Sequence, residues 1–142
     1  SLDLSYNNFV SNEILKKIFI QSNYNLNSIN LRGCKSNLSM YIFQNLTNLI
    51  KIDLSSIKNL NFNDNLTSFE KSINLESINL SNLKLNSSIL SKYFNFSLFA
   101  NLKHLDLSSN RIEHLPESLV DNKKLTYLNL SHNCFKKFNT YI

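Results

Sequence analysis

Residues 102–112 read LKHLDLSSNRI, and residues 125–135, 23 positions later, read LTYLNLSHNCF. Both segments place leucine at the first, fourth and sixth of eleven positions, and asparagine at the ninth. A strand alternates its side chains between two faces, so the residues at positions four and six point to the same side. Each segment therefore predicts a short strand with one buried face, followed by a turn at the asparagine.

The same eleven-position frame, whose positions are called slots one to eleven below, recurs along the rest of the chain. Six in-frame copies place an apolar residue in slot four, at Leu2, Ile29, Ile52, Ile78, Leu105 and Leu128. Successive copies are 23 to 27 residues apart. A repeat of this size cannot bury its apolar face alone, so neighbouring repeats must stack. The period predicts a solenoid with parallel strands centred near residues 3, 30, 53, 79, 106 and 129.

This frame, L-x-x-L-x-L-x-x-N/C-x-L, resembles the leucine-rich repeat, and the resemblance covers essentially the whole chain. It implies an α/β fold: a right-handed, horseshoe-shaped solenoid with six short parallel strands and helical or irregular returning segments. Slot nine fits the frame at Asn7, Cys34, Asn110 and Asn133. Ile57 and Leu83 do not fit it. We therefore expect the asparagine ladder to be interrupted in the middle repeats, where packing must compensate.

Two returning segments predict helices. Residues 11–20 and 87–94 carry apolar residues at helical spacing, and Ser87 and Ser88 are suitable N-caps for the second helix. Pro116 predicts a short helical turn at most in the fifth repeat. We expect residues 1–142 to form one domain of about six repeats. Because neither end shows a polar capping repeat, we expect it to be part of a longer array.

Composition narrows the classes of function. The net charge of +5, from 15 Lys+Arg against 10 Asp+Glu, is mild compared with the dense basic clusters of nucleic-acid-binding proteins. A single glycine cannot build a glycine-rich phosphate loop. Cys34 and Cys134 lie four strand spacings apart, roughly 19 Å, which is too far for a disulfide or a shared zinc ion. We expect no cofactor or metal, and a reducing, cytoplasmic setting.

A catalytic site is the alternative that the frame argues against. His104, Asp106, Ser108 and Ser131 fall near one another and superficially match a Ser-His-Asp triad. However, Asp or Asn in slot five and Ser in slot seven recur in almost every repeat, so the repeat itself explains these residues. We expect no enzymatic activity, no small-molecule substrate and no nucleic acid.

The residues in slots three, five, seven and eight are expected to face the concave side of the solenoid. Most are small and polar, Ser55 in the centre among them. Residues whose type differs from the one usual in their slot are candidates for contacting a protein partner. These are Arg32, Lys51, His104, Tyr127 and His132. We expect the rings of His104, Tyr127 and His132 to lie side by side, with Tyr127 as the anchor. The alternative is that these are ordinary solvated positions.

Slot ten carries a cation in four successive repeats, at Lys35, Lys58, Lys84 and Arg111. These four residues are called the basic stripe. Stacked like charges repel one another, so such a row is unfavourable unless it is solvated or bound by a partner. One interpretation is a docking site for an acidic partner or an anionic membrane. The other is a solvated edge that keeps the protein soluble.

The middle of the chain resembles the repeat domain of CARMIL-type actin-capping-protein regulators. The resemblance is carried by INLRGCKSNLSMYIF (29–43), FEKSINLESINLSNLKL (69–85) and SSILSKYFNFSLFANLKHLDLSS (87–109). It implies a non-catalytic scaffold for protein-protein interaction in actin or membrane-proximal regulation, in the cytoplasm or at the cell cortex. In that family the residues that engage capping protein lie outside the repeats, so none is carried over.

The segment LPESL (115–119) points elsewhere, because it resembles the LP-x-x-L repeats of Ras-pathway proteins. The alternative function is therefore the regulatory repeat array of a larger signalling enzyme, such as a Ras-family, kinase or phosphatase protein. A catalytic domain in the same polypeptide would favour this second interpretation.

Overall fold

The structure, a computed structural model, describes residues 1–8, 10–21, 26–62 and 69–136. In these ranges the chain forms eight strands and two α-helices. In chain order they are β1 (Leu2–Asp3), α1 (Asn12–Gln21), β2 (Ser28–Asn30), β3 (Asn37–Ser39), β4 (Lys51–Asp53), β5 (Asn59–Asn61), β6 (Ser77–Asn79), α2 (Ser87–Tyr93), β7 (His104–Asp106) and β8 (Tyr127–Asn129). None of the helices in the described ranges is long and apolar enough to cross a membrane.

Six of the strands, one from each repeat, form a single parallel sheet in the order β1-β2-β4-β6-β7-β8. The slot-four residues lie opposite one another throughout, so that Ile29 pairs with Ile52 and Ile78 pairs with Leu105. Each predicted strand centre is the last residue of its strand. The predicted solenoid of parallel strands is confirmed, and its register is the one set by the leucine frame.

The core lies between this sheet and the returning segments. The slot-four and slot-six side chains from the second to the fifth repeat are almost fully buried. A row of phenylalanine rings joins the returning segments: Phe69 stacks on Phe43 and on Phe94, with centroids 5.4 and 6.0 Å apart. Burial of such rings stabilises the stacking of repeats, because each ring removes a large apolar area from water.

The two helices occupy the predicted segments. The helical spacing predicts one apolar face on α1 with Ile14, Leu15, Ile18 and Phe19. Leu15 and Phe19 are buried and Ile18 is half-buried, whereas Ile14 is 40% exposed, so the prediction is wrong for Ile14. Pro116 is followed by a short 3₁₀-helix, Glu117–Asp121, which confirms the expected short turn. Two further 3₁₀-helices, Met40–Phe43 and Phe96–Leu98, complete returning segments.

The predicted caps of α2 are wrong. The N-cap is Asn86, whose side-chain oxygen accepts a hydrogen bond of 2.8 Å from the amide of Ile89. Ser87 is already the first helical residue, and its hydroxyl oxygen accepts from the backbone amides of Glu113 and His114 in the next repeat. Asparagine is at least as good a cap as serine, and here the serine is used to join two repeats.

A second sheet was not predicted. Strands β3 and β5, which follow the slot-nine turns of the second and third repeats, pair in parallel. Just before β5, the amide of Lys58 donates to the carbonyl of Cys34 at 3.0 Å. These backbone bonds join the repeats where Ile57 replaces the asparagine of slot nine, so hydrogen bonding as well as packing offsets the loss.

Candidate protein-binding surface

The exposed face of the six-stranded sheet carries a hydrogen-bonded row in slot five. The slot-five residues alternate between aspartate and asparagine in the order Asp3, Asn30, Asp53, Asn79, Asp106 and Asn129. Each asparagine donates through Nδ2 to the Oδ2 atom of the aspartate in the preceding repeat, at 3.0, 3.2 and 3.2 Å. The row therefore consists of three aspartate–asparagine pairs.

The second carboxylate oxygen of each aspartate is also engaged. The Oδ1 atoms of Asp53 and Asp106 each accept a backbone N–H two residues later, at 2.8 Å. The same bond, from the backbone N–H of Ser5, holds the pKa of the Asp3 carboxyl below its usual value. The carboxylate of Asp106 thus bonds to Ser108 and Asn129, which gives it a structural role in the strand and the turn.

The rings of His104 and Tyr127 come together on this face. They lie in slot three of adjacent strands, with ring centroids 6.0 Å apart and planes inclined by 31°. Both side chains are exposed, Tyr127 to 47%. They border an open depression of about 240 Å³ that is also lined by Ser77, Ile78, Asn79 and Asp106.

The predicted three-ring cluster is wrong in one member. His132 is exposed but lies three residues beyond β8, in a left-handed turn with φ of 56°. Among the described residues, the structure records a ring contact of His104 with Tyr127 and none with His132. Slot eight lies in the turn after the strand, so His132 is not on the strand beside the slot-three rings.

The other two candidates are separate from this cluster. Lys51 is exposed in slot three of β4, between Ser28 and Ser77 on the neighbouring strands. Arg32 is exposed near the start of the chain, where its Nε donates to the hydroxyl oxygen of Tyr6 at 2.7 Å. The five candidates therefore fall into four places along the sheet and its turns, and only His104 and Tyr127 form a common surface.

Slot seven does not belong to the exposed face in the middle of the sheet. Ser55 is only 1% exposed, and Ser108 is also buried. The chain has begun its turn at this slot, since the backbone amide of Ser55 is bonded to the Asp53 side chain. The expectation that Ser55 is a surface position is wrong, and a partner could not contact its side chain directly.

Slot eight has a shared backbone conformation that explains its residue types. All six slot-eight residues have positive φ between 56° and 66°, namely Tyr6, Gly33, Ser56, Asn82, Ser109 and His132. At Gly33 the ring of Tyr6 lies so close that a Cβ atom would meet it at 2.5 Å. The single glycine is therefore placed where a side chain would be both strained and obstructed.

Tyr6 is a surface residue that the sequence reasoning missed. Its side chain is 66% exposed, it lies against Gly33, and its hydroxyl accepts from Arg32. The same rule that selected Arg32 could have found it, because a tyrosine departs from the small or polar residues that occupy slot eight in three of the other repeats, Ser56, Asn82 and Ser109. Tyr6 and Arg32 together form a second exposed cluster, distant in sequence from His104 and Tyr127.

The basic stripe is exposed at all four positions, but its backbone conformation is not the same in every repeat. In the second, third and fifth repeats, the slot-ten amides of Lys35, Lys58 and Arg111 donate to a carbonyl of the preceding repeat. Lys84 differs, because its φ of 59° turns it into the left-handed region. Lys84 therefore departs from the backbone pattern that the other three share.

Comparisons with known proteins agree with this architecture. Family profiles described as leucine-rich repeat match residues 1–19 and 74–135, which together make up more than half of the chain. The chain belongs to the leucine-rich-repeat superfamily. A search of curated proteins gives no significant match. The predicted α/β leucine-rich-repeat solenoid is thereby confirmed.

Solved structures of other leucine-rich-repeat proteins share the fold. InlP of Listeria monocytogenes is 25% identical, with a TM-score of 0.60 over 76% of this chain and 30% of InlP. The internalin InlF of the same organism is 18% identical, with a TM-score of 0.67 over 95% of this chain and 42% of InlF. A leucine-rich-repeat protein of Leptospira interrogans is 21% identical, with a TM-score of 0.60 over 98% of this chain and 38% of that protein. The chain spans less than half the length of each of these structures.

Proposed function

We propose that this leucine-rich-repeat domain is a non-catalytic scaffold that binds a protein partner on the concave, strand-bearing face. The observation that carries the proposal is the pair of exposed rings, His104 and Tyr127, at the border of an open depression on that face. Large aromatic side chains are enriched among the residues that dominate binding energy at protein interfaces. A leucine-rich-repeat fold supports a role in protein-protein interaction in general.

The lining of the depression indicates how an anchor there would work. Tyr127 offers a rigid apolar ring with a polar tip, whereas the side chain of Ile78 is buried in the core and adds no apolar surface here. Ser77 and Asn79 add hydrogen-bonding groups, while the Asp106 carboxylate adds negative charge. A partner side chain with an apolar stem and a polar or basic end would match this lining.

The biological setting is proposed on the resemblances in the sequence. Similarity of the middle repeats to CARMIL-type regulators supports a partner in actin or membrane-proximal regulation, in the cytoplasm or at the cell cortex. The LP-x-x-L segment supports the alternative, a regulatory array within a larger signalling enzyme. The four exposed cations of the basic stripe support a second contact, with an acidic partner, for which an anionic membrane is the competing outcome.

The test of the concave-face proposal is a pull-down with the 142-residue chain as bait, followed by titration of the captured partner with variants. We expect Tyr127→Ala to weaken binding by more than about 1 kcal/mol, since it removes the anchor ring. Ser28→Ala is the matched control, because Ser28 also occupies slot three of the same sheet but is not a candidate binding residue. Equal affinity of Tyr127→Ala and the unmodified chain would refute the anchor.

A further inference from the structure

A second depression lies away from the exposed face of the six-stranded sheet. It has a volume of about 450 Å³, within the range of ligand-binding clefts, and is open to solvent. All three residues of β5 line it, together with Asn37, Ile57, Leu83 and the two lysines Lys58 and Lys84. This depression, called the lateral cleft, shares no lining residue with the depression beside Tyr127.

The lateral cleft forms where a backbone ladder between repeats is interrupted. In four repeats the slot-ten amide donates to a carbonyl of the preceding repeat, at 2.7 to 3.2 Å, and the donors are Lys35, Lys58, Arg111 and Cys134. The corresponding residue of the fourth repeat is Lys84, which has a left-handed backbone. Within the described ranges, the Lys84 amide makes no such bond, and no strand pairs with the far side of β5. Repeats three and four thus lack the slot-ten bond, although the ring of Phe62 contacts those of Tyr93 and Phe94.

Two lysines and one side-chain amide beside the cleft lack a partner among the described residues. Over the part of the chain that the structure describes, Lys58 and Lys84 form no ion pair, whereas Lys103 is bonded to Glu76 at 3.0 Å. The side-chain amide of Asn59 likewise has no partner in those ranges, and none of the described residues that line the cleft is acidic. Two ammonium groups, an unpaired backbone amide and a side-chain amide therefore surround one recess.

We propose that the lateral cleft binds carboxylate side chains of an extended acidic segment in a partner protein. Carboxylates are accepted by ammonium and amide donors together, and hydrogen bonds to charged groups are the stronger ones. A flat anionic membrane fits less well, because the floor is recessed and includes the neutral side chains of Asn59 and Leu60. The proposal deepens the basic-stripe part of the proposed function and is independent of the concave face.

The test measures binding of a fluorescently labelled decapeptide of glutamate by anisotropy, at low salt, with a decaglutamine peptide as the neutral control. We expect the glutamate peptide to bind, and its affinity to fall as salt is raised. The variant carrying Lys58→Glu and Lys84→Glu should bind at least about tenfold more weakly, because two attractions become repulsions. Lys17→Glu with Lys136→Glu is the matched control, since it changes the net charge equally at exposed lysines outside the cleft.

A further variant separates the cleft from the stripe as a whole. Lys35→Glu with Arg111→Glu reverses the two stripe cations that do not line the cleft, and we expect a smaller loss of affinity than for the cleft pair. Equal losses of affinity for the two pairs would show that the basic stripe as a whole binds the peptide, and would overturn the proposal for the cleft. Binding to phosphatidylserine vesicles in preference to the glutamate peptide would overturn it in favour of a membrane, and no binding to either would overturn both.

Backbone amide chemical shifts show where on the domain the peptide binds. On addition of the glutamate peptide, the largest changes are expected at Lys84 and at Asn59–Asn61, and little change is expected at Tyr127. Shifts centred on the sheet face instead would contradict the lateral cleft while leaving the concave-face proposal intact.

Discussion

Asn110 provides a sharp test of what joins the repeats. We expect Asn110→Ala to lower the free energy of unfolding by about 3–5 kcal/mol. The side chain is 6% exposed and makes five hydrogen bonds with backbone atoms. Its Nδ2 donates to the carbonyls of Leu80, Leu107 and Ser108, and its Oδ1 accepts from the amides of Leu83 and Leu85.

The size of the expected loss of stability follows from burial, because water cannot reach these groups to replace the lost hydrogen bonds. Leu80 and Leu85 are fully buried, and each contributes one backbone group that alanine would leave unpaired, whereas the carbonyl of Leu107 keeps its bond from Asn133 Nδ2. An unsatisfied buried group costs about 1–3 kcal/mol, and two such groups near the middle of that range give the estimate. A typical domain has about 5–15 kcal/mol of stability in total. The melting temperature should therefore fall by roughly 10 °C or more.

The assay combines urea denaturation with amide hydrogen exchange. Asn95→Ala is the control, because Asn95 is exposed and its side chain makes no capping bond. We expect exchange at Leu83 and Leu85 to accelerate in Asn110→Ala beyond the general loss of protection, since these amides lose their acceptor. A variant with the stability of the control, and with those two amides still protected, would refute the view that Asn110 joins repeats four and five.

Two further predictions address the core and the cysteines. Leu107→Ala, which removes a fully buried slot-six side chain, should cost about 2–5 kcal/mol, and an unchanged urea midpoint would show that the repeat frame is misassigned. In the native chain, Cys134 should react quickly with an aromatic disulfide reagent while Cys34 reacts only after denaturation. Burial raises the pKa of the Cys34 thiol, and its Sγ donates to the carbonyl of Leu4 at 3.2 Å. Fast reaction of both thiols in the native chain would contradict the structure.

The sheet could be predicted from the sequence because the leucine spacing determines its register. A slip of one residue would turn Ile52 and Leu54 out of the core and expose both. The pairing of Leu2 with Ile29, and of Leu105 with Leu128, is the same as the alignment of the repeats in the sequence. The fold thus follows from a local pattern repeated six times, and tertiary contacts do not have to override it.

The second sheet could not be predicted, because its strands lack a pattern of their own. Asn37–Ser39 and Asn59–Asn61 are polar triplets around a single leucine, and nothing local favours a strand there. They pair because stacking of the main sheet brings them together. Slot seven failed for a related reason: whether Ser55 is buried depends on how the turn closes, which alternation within the strand does not determine.

The aspartate–asparagine alternation in slot five was visible in the sequence, but its meaning depends on the contacts between repeats. Each pair couples two repeats, so that Asp53 with Asn79 joins repeats three and four across the sheet. On the lateral side, repeats two and three are joined by β3 and β5, and repeats four and five by Asn110. Repeats three and four lack a corresponding bond among the described residues, and the lateral cleft opens there. A carboxylate bound by both Lys58 and Lys84 would therefore bridge the two repeats at the one junction where the slot-ten ladder does not.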